Sequence, residues 1–297
     1  MKLKNINISY YLIILMILII CFIILQQSIQ KEGFNIILKN EINIDFNKYT
    51  AIIVEPRKHP ALHFVLNNFF ENLDDKWNFV ILHGTDNIDY LNNIMNRLSK
   101  YKSRTTIINL NKNLTYQEYN ELLYSKTFYD YIPTETFLIF QTDSMILTEN
   151  KNKINDFLKY DYVGAPMSCN DMVYKDCQQN SNIIVGNGGL SLRKKSKMLE
   201  LLKYIDFAKS DNIDEIIKFG KLIPEDRFFS GNITTEYVDI YKPDVQEATN
   251  FAVQYHYNDA PFGIHKLWDQ GLSNNEMQHI INKYPEINKL IKLNNQN

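Results

Sequence analysis

An α/β fold built on a mostly parallel sheet is the architecture this sequence predicts, on three observations. Short apolar runs that read as strands alternate with segments whose apolar residues recur at helical spacing. The stretches between successive strands are long enough for helical crossovers, which parallel neighbours require. One apolar run, Thr136-Phe-Leu-Ile-Phe140, is followed closely by a lone acid, Asp143, before apolar sequence resumes. In open α/β sheets ligands bind at the carboxyl ends of strands, so an acid there faces a crevice rather than the core.

The elements follow in order. Tyr49-Thr-Ala-Ile-Ile-Val-Glu55 is a short buried strand, and Pro60 opens a helix with Leu62, Val65, Leu66, Phe69 and Leu73 on one face. Trp77 to His83 is a second strand. Ile88, Leu91, Ile94, Met95 and Leu98 repeat at helical spacing, and Thr105 to Leu110 is a third strand. Thr115 with Glu118 forms a capping box for a helix carrying Tyr119, Leu122 and Leu123. The strand before Asp143 comes next. Beyond it the pattern is less regular: Asp161 to Pro166, a loop, Gly186 to Arg193, and a helix over about 194–208. Ser273 with Glu276 is a second capping box, opening a C-terminal helix. No repeat and no Gly/Ser linker divides the chain, so residues 49–271 read as one domain. Its first half is Rossmann-like and nucleotide-binding, its second half irregular, and residues 272–297 are a C-terminal helix and tail.

The N-terminus stands apart. Tyr10 to Leu25 is free of charge and rich in Ile and Leu, just under the usual span of about 17–25 residues, with Ile6 and Ile8 extending it. Residues 1–9 read as a short cytosolic tail, 10–25 as a transmembrane signal anchor in the lipid bilayer, and 26–48 as a stem. Lys2 and Lys4 precede the segment while Lys31 is offset by Glu32, which places the N-terminus in the cytosol and the body in a Golgi- or ER-like lumen. A cleaved signal peptide is the rival, and Gln26-Gln-Ser-Ile-Gln30 is a poor cleavage site.

A net charge of -2 leaves no global basic field for nucleic acid. Of three cysteines, Cys21 lies in the apolar segment, while Cys169 and Cys177 flank a polar loop. A disulfide there is open in a lumenal body, as are two unpaired thiols; zinc lacks a second Cys/His pair at ligand spacing. Asn113-Leu-Thr115 and Asn232-Ile-Thr234 are glycosylation sequons.

Four segments carry chemistry. Asp143 suits a hard cation and hence a phosphate-bearing substrate, or else merely opens a turn. Gly186-Asn-Gly-Gly189 permits close approach of a ligand to the backbone, or a tight turn, and is neither a dinucleotide fingerprint nor a P-loop. Pro224-Glu-Asp-Arg-Phe-Phe-Ser230 is a helix start with acids at the positive end of the dipole, or a source of a carboxylate that takes a proton from an acceptor hydroxyl. Pro261-Phe-Gly-Ile-His-Lys-Leu-Trp268 joins a His able to ligate Mn²⁺, a Lys able to meet phosphate and an indole able to stack.

In this order the segments resemble glycosyltransferases of the GT-A fold. The resemblance is to an uncharacterised glycosyltransferase-like family also marked by Ile52-Ile-Val-Glu-Pro-Arg57 and His83-Gly-Thr-Asp-Asn87, and it spans residues 49–268. It implies a mixed, mostly parallel sheet flanked by helices, a nucleotide-sugar donor, a glycan, protein or lipid acceptor, and a divalent cation, Mn²⁺ before Mg²⁺. Asp143 resembles the last acid of the Asp-x-Asp metal motif, and His265 the further ligand near the C-terminus. Glu55, Arg57, His83, Gly84, Thr85, Asp86 and Asn87 would line the nucleoside pocket. Gln141, Thr142, Ser144, Asn187, Gly188, Gly189, Lys266 and Trp268 would contact the rest of the donor. Asp226, with Glu225 second, resembles the acceptor-side base of an inverting transfer, and a retaining outcome stays open. Gln141 departs from the pattern by replacing the first acid. That departure motivates the alternative, an inactive GT-A-like module that binds nucleotide sugar or carbohydrate. A nucleotidyltransferase is a third reading.

Overall fold

The computed structural model describes residues 48–168, 183–204, 224–231, 238–269 and 271–296. The expected tail and anchor, the stem as far as residue 47, the Cys169 to Cys177 loop and the Asn232 sequon lie outside the described residues. Among the described residues, no helix is long and apolar enough to cross a membrane.

The strands are β1 (Tyr49–Val54), β2 (Trp77–His83), β3 (Thr105–Asn109), β4 (Thr136–Phe140), β5 (Ser144–Ile146), β6 (Tyr162–Gly164), β7 (Pro166–Ser168), β8 (Ile183–Val185), β9 (Leu190–Lys194), β10 (Ala252–Val253) and β11 (Gly263–His265). Six of them form the main sheet in the order β3-β2-β1-β4-β9-β6. From β3 to β4 every pair is parallel, linked by helices such as Leu62–Asn72 and Ile88–Arg97. β9 then runs antiparallel to both β4 and β6, so the sheet is mixed and its parallel character stops at β4.

Alternation of side chains across the pleat feeds two cores. Ala51, Ile53, Phe79, Ile81, Leu138 and Phe140 pack on one face, where Phe69 of the first helix stacks on Phe140 at 4.0 Å between ring centroids. Ile52, Val80, Leu82, Phe137 and Ile139 pack on the other, against Leu123, Phe128 and Phe229. Burial on both faces is why these strands read as unbroken apolar runs.

Both predicted capping boxes form, at Thr115 with Glu118 and at Ser273 with Glu276. The helix opened by Ser273 ends sooner than expected. It runs Asn274–Lys283, and a second helix, Ile287–Asn294, follows Pro285, whose ring cannot donate to a continuing helix. Ile280, Ile287 and Leu290 are fully buried in the same core as β1, so this segment closes the domain rather than trailing from it. The helix after β9 runs Lys195–Leu201 and passes into a 3₁₀ turn at Leu202–Tyr204; the rest of the expected span, 205–208, lies outside the described residues.

A second sheet, β10-β11-β5, positions the site. β11 runs antiparallel to β5 with His265 opposite Ser144 and Gly263 opposite Ile146. That register carries the C-terminal His segment to the mouth of β4.

Candidate functional site

β4 ends at Phe140 and the chain reverses tightly. The Ser144 N–H and hydroxyl both donate to the Gln141 carbonyl, at 3.1 and 2.8 Å, and the Gln141 N–H donates back to the Ser144 hydroxyl at 3.1 Å. Asp143 therefore sits both on a turn and at a strand mouth. The Lys266 N–H donates to the Asp143 carbonyl at 2.9 Å, fastening β11 to this turn. His265 Nε2 comes to lie 3.2 Å from Asp143 Oδ1. The two atoms do not meet at a hydrogen-bonding angle, and both are buried without a hydrogen-bond partner.

Burial pushes the Asp143 carboxyl up, but the His265 ring, a backbone donor and Lys266 outweigh it and hold the group below its ordinary value. An ionised carboxylate beside an imidazole nitrogen is an O/N donor pair of the kind Mn²⁺ accepts. Among the described residues no cluster of three or more His, Cys, Asp or Glu side chains completes a metal cage. The residues present fit a divalent cation, which Asp143 and His265 would hold through one carboxylate oxygen and one ring nitrogen.

The glycine segment supplies room. A Cβ on Gly189 would stand 2.1 Å from His265 Nε2, and one on Gly188 would stand 2.2 Å from Glu225 Oε1. The Gly189 N–H donates to Asn187 Oδ1 at 2.7 Å, and the Gly188 N–H to Asp226 Oδ2 at 3.2 Å. What comes close to these glycines is the protein's own side chains, His265 at Gly189 and Glu225 at Gly188.

Glu225 and Asp226, adjacent in sequence, have different surroundings. Glu225 is buried and bound by both oxygens to Arg193, at 2.7 and 3.1 Å. Burial pushes its carboxyl above the ordinary value and Arg193 pulls it back only in part. Asp226 is half-buried and opens to the groove beside Asn187 and Gly189. Arg193 was not a sequence candidate; its only signal is a cation inside the apolar strand Leu190-Ser-Leu-Arg-Lys194.

The groove has two adjoining lobes that share Tyr116, Tyr119, Gln141 and Asp143. The first, about 330 Å³, is walled by Val54 to Arg57, Leu114, Thr115 and Thr142. The second, about 260 Å³, holds Asn120, Asn187, Gly189, Asp226, Gln254, Tyr255, His265 and Lys266. Tyr116, which is 75% exposed, Asn120 and Gln254 were missed, because tyrosines on an amphipathic helix and isolated amides carry no motif. Gln141 Nε2 donates to the Tyr119 hydroxyl at 3.0 Å, which orients its amide.

Some expected donor contacts are placed elsewhere. Glu55 and Arg57 line the first lobe, joined by two bonds of 2.8 Å. His83, Gly84, Thr85, Asp86 and Asn87 line neither lobe. Asn87 Nδ2 instead donates to the carbonyls of Glu55 and Arg57, at 2.7 and 3.1 Å, so this loop buttresses the wall. The amide of Asn113, the sequon residue, is engaged at both ends with Thr85. Ser144 is buried within the turn and Trp268 packs against the core, so neither lines the groove. Lys266 does. Its φ of 42° is the left-handed region, uncommon for a residue with a side chain, and its Nζ pairs with Asp269 at 2.8 Å.

The family model for a protein of unknown function (DUF5672) matches residues 104–265, more than half of the chain. The chain belongs to this family. Comparison with the curated proteins finds no match. Among solved structures, an active-site mutant of LgtC aligns with a TM-score of 0.52 at 10% identity, over 82% of this chain and 95% of that one. The galactosyltransferase LgtC in complex with donor and acceptor sugar analogues aligns with a TM-score of 0.50 at 11% identity, over 83% and 95%. At such identity the likeness is one of fold, and it is to GT-A-like glycosyltransferases, as the ordered segments of this DUF5672 chain led one to expect.

Proposed function

We propose that this chain transfers a sugar from a nucleotide-sugar donor to an acceptor hydroxyl, with a divalent cation held by Asp143 and His265. The observation that carries the reading is the meeting, without a hydrogen bond, of Asp143 Oδ1, in the wall shared by two lobes of a groove, and His265 Nε2, in the second lobe, 3.2 Å apart. The first lobe, with Glu55, Arg57, Tyr116 and Thr142, takes the nucleoside. The second takes the donor sugar and the acceptor. When bound, the cation supplies Lewis-acid stabilisation of the diphosphate leaving group.

The chain's own groups account for the rest. Lys266 adds positive charge on the leaving-group side. Asp226, steadied by the Gly188 N–H, accepts the acceptor's hydroxyl proton as its oxygen bonds the anomeric carbon and the bond to the diphosphate breaks. A base on the acceptor side suits inversion. Arg193 occupies Glu225, which leaves Asp226 as the carboxylate free to do this.

The test is transfer or donor hydrolysis across a nucleotide-sugar panel with Mn²⁺. Asp143→Ala should abolish the metal-dependent rate; product without metal and unaltered by this change would remove the reading. The second reading, a binding module without turnover, draws on Gln141 where an acid is expected. Donor binding with no transfer to any acceptor would favour it. The membrane anchor belongs to this proposal on the strength of residues 10–25 and their flanking lysines. Protease added to intact vesicles should leave the body protected.

A further inference from the structure

His265 Nδ1 lies 3.1 Å from the side-chain oxygen of Gln254, and both residues are buried, at 5% and 3% exposure. The contact is built by the second sheet. β10 runs parallel to β11 with Val253 opposite Ile264, which sets Gln254 beside His265. An amide oxygen can only accept, so with Gln254 Oε1 toward the ring this contact is a hydrogen bond only in the tautomer that carries its proton on Nδ1. A neutral imidazole has one proton, and Nε2 is then a bare lone pair. That lone pair lies beside Asp143 Oδ1, another acceptor, without pointing at it, and neither atom has a hydrogen-bond partner. With the opposite tautomer Nε2 would carry a hydrogen that does not aim at the carboxylate, and Gln254 Oε1 would face a second lone pair.

Gly189 completes the arrangement. Any side chain there would collide with Nε2, so the ring is held where nothing from the protein caps it. Two buried acceptors held 3.2 Å apart with no donor between them repel unless a positive charge joins them.

We propose that Gln254 is a positioning residue that selects the Nδ1–H tautomer of His265, so that His265 and Asp143 together present lone pairs to one divalent cation. The inference rests on the proposed function only in naming a divalent cation as the shared ligand. It extends that reading to a residue outside the motif, at the end of β10, and makes the amide the source of the ring's orientation. Partners that hold a ligating His typically matter by about 10–100-fold in metal affinity.

The experiment uses the full chain, with Mn²⁺ alone as the probe and no sugar nucleotide. Mn²⁺ affinity is measured by electron paramagnetic resonance, and the His265 tautomer by nitrogen NMR of metal-free protein labelled at histidine. A His265→Asn variant identifies the resonance. The parent should show the Nδ1–H form. Gln254→Leu should lose that preference and bind Mn²⁺ about 10–100-fold more weakly, while Gln254→Glu, which keeps an acceptor, should retain both. An Nε2–H parent, unchanged affinity in Gln254→Leu, or a parent that does not bind Mn²⁺ would each overturn the inference. Mn²⁺ bound through Asp143 and lost in Gln254→Leu, with no sugar transfer under any condition, would leave it standing and sink the glycosyltransferase reading alone.

Discussion

Arg193 and Glu225 form a fully buried, two-pronged ion pair, Nη1 to Oε2 at 2.7 Å and Nη2 to Oε1 at 3.1 Å, with the guanidinium lying over the Tyr162 and Phe229 rings. The pair ties β9 to the helix Glu225–Ser230 and so fixes where the neighbouring Asp226 stands. Removing one partner strands the other charge in the core. Arg193→Met should cost about 3–5 kcal/mol in denaturant unfolding, and Arg193→Met combined with Glu225→Leu should recover most of it. A single variant as stable as the parent would show the pair to be solvated.

Asp226 and Asp143 share the groove, and the proposed reaction gives them different tasks. Asp226→Asn keeps the shape and removes the base, so transfer should fall by about 10²–10⁴-fold. Mn²⁺ affinity should not move, because Asp226 is not placed as a ligand. Loss of metal binding in this variant would reassign the residue to the cation.

Gly189 faces the His265 ring at a distance no Cβ tolerates. Gly189→Ala should displace the ring, weaken Mn²⁺ binding at least tenfold, and cost about 1–3 kcal/mol of stability through overpacking. Intact binding would mean that the ring can step aside without consequence.

The helix bearing Tyr116, Tyr119 and Asn120 is opened by Thr115 and Glu118. Lys112 and the Thr115 backbone and hydroxyl hold the Glu118 carboxyl down at about 2, against an ordinary 4.5. Because the folded value is the lower one, its contribution is complete above about pH 4.5 and is lost as pH falls toward about 2. Glu118→Gln should flatten that acid limb of the stability profile; an unchanged limb would place the titration elsewhere.

Much of this molecule was legible in local sequence. Strands β1, β2 and β4 stand out because both of their faces are buried, which leaves unbroken apolar runs. The capping boxes at Thr115 and Ser273 are legible because both partners lie three residues apart; the break before Ile287 went unread, although Pro285 marks it. The antiparallel entry of β9 was not legible, since a strand's own residues do not encode its neighbour's direction. Nor was the withdrawal of His83 to Asn87 from the groove, which depends on Asn113 and on the carbonyls of Glu55 and Arg57.

The sequence by itself determined the alternation of strands and helices, the acid after β4, the glycines before β9 and the order of the four segments, because periodicity, capping and glycine's freedom act over a few residues. Tertiary structure decided which of these groups meet. The register of β11 on β5 sets His265 beside Asp143, far apart along the chain. A buried arginine gives two adjacent acids different surroundings, and an amide just past β10 meets the imidazole. Those outcomes depend on packing and on satisfying buried polar groups across the whole domain, which no short window of sequence contains.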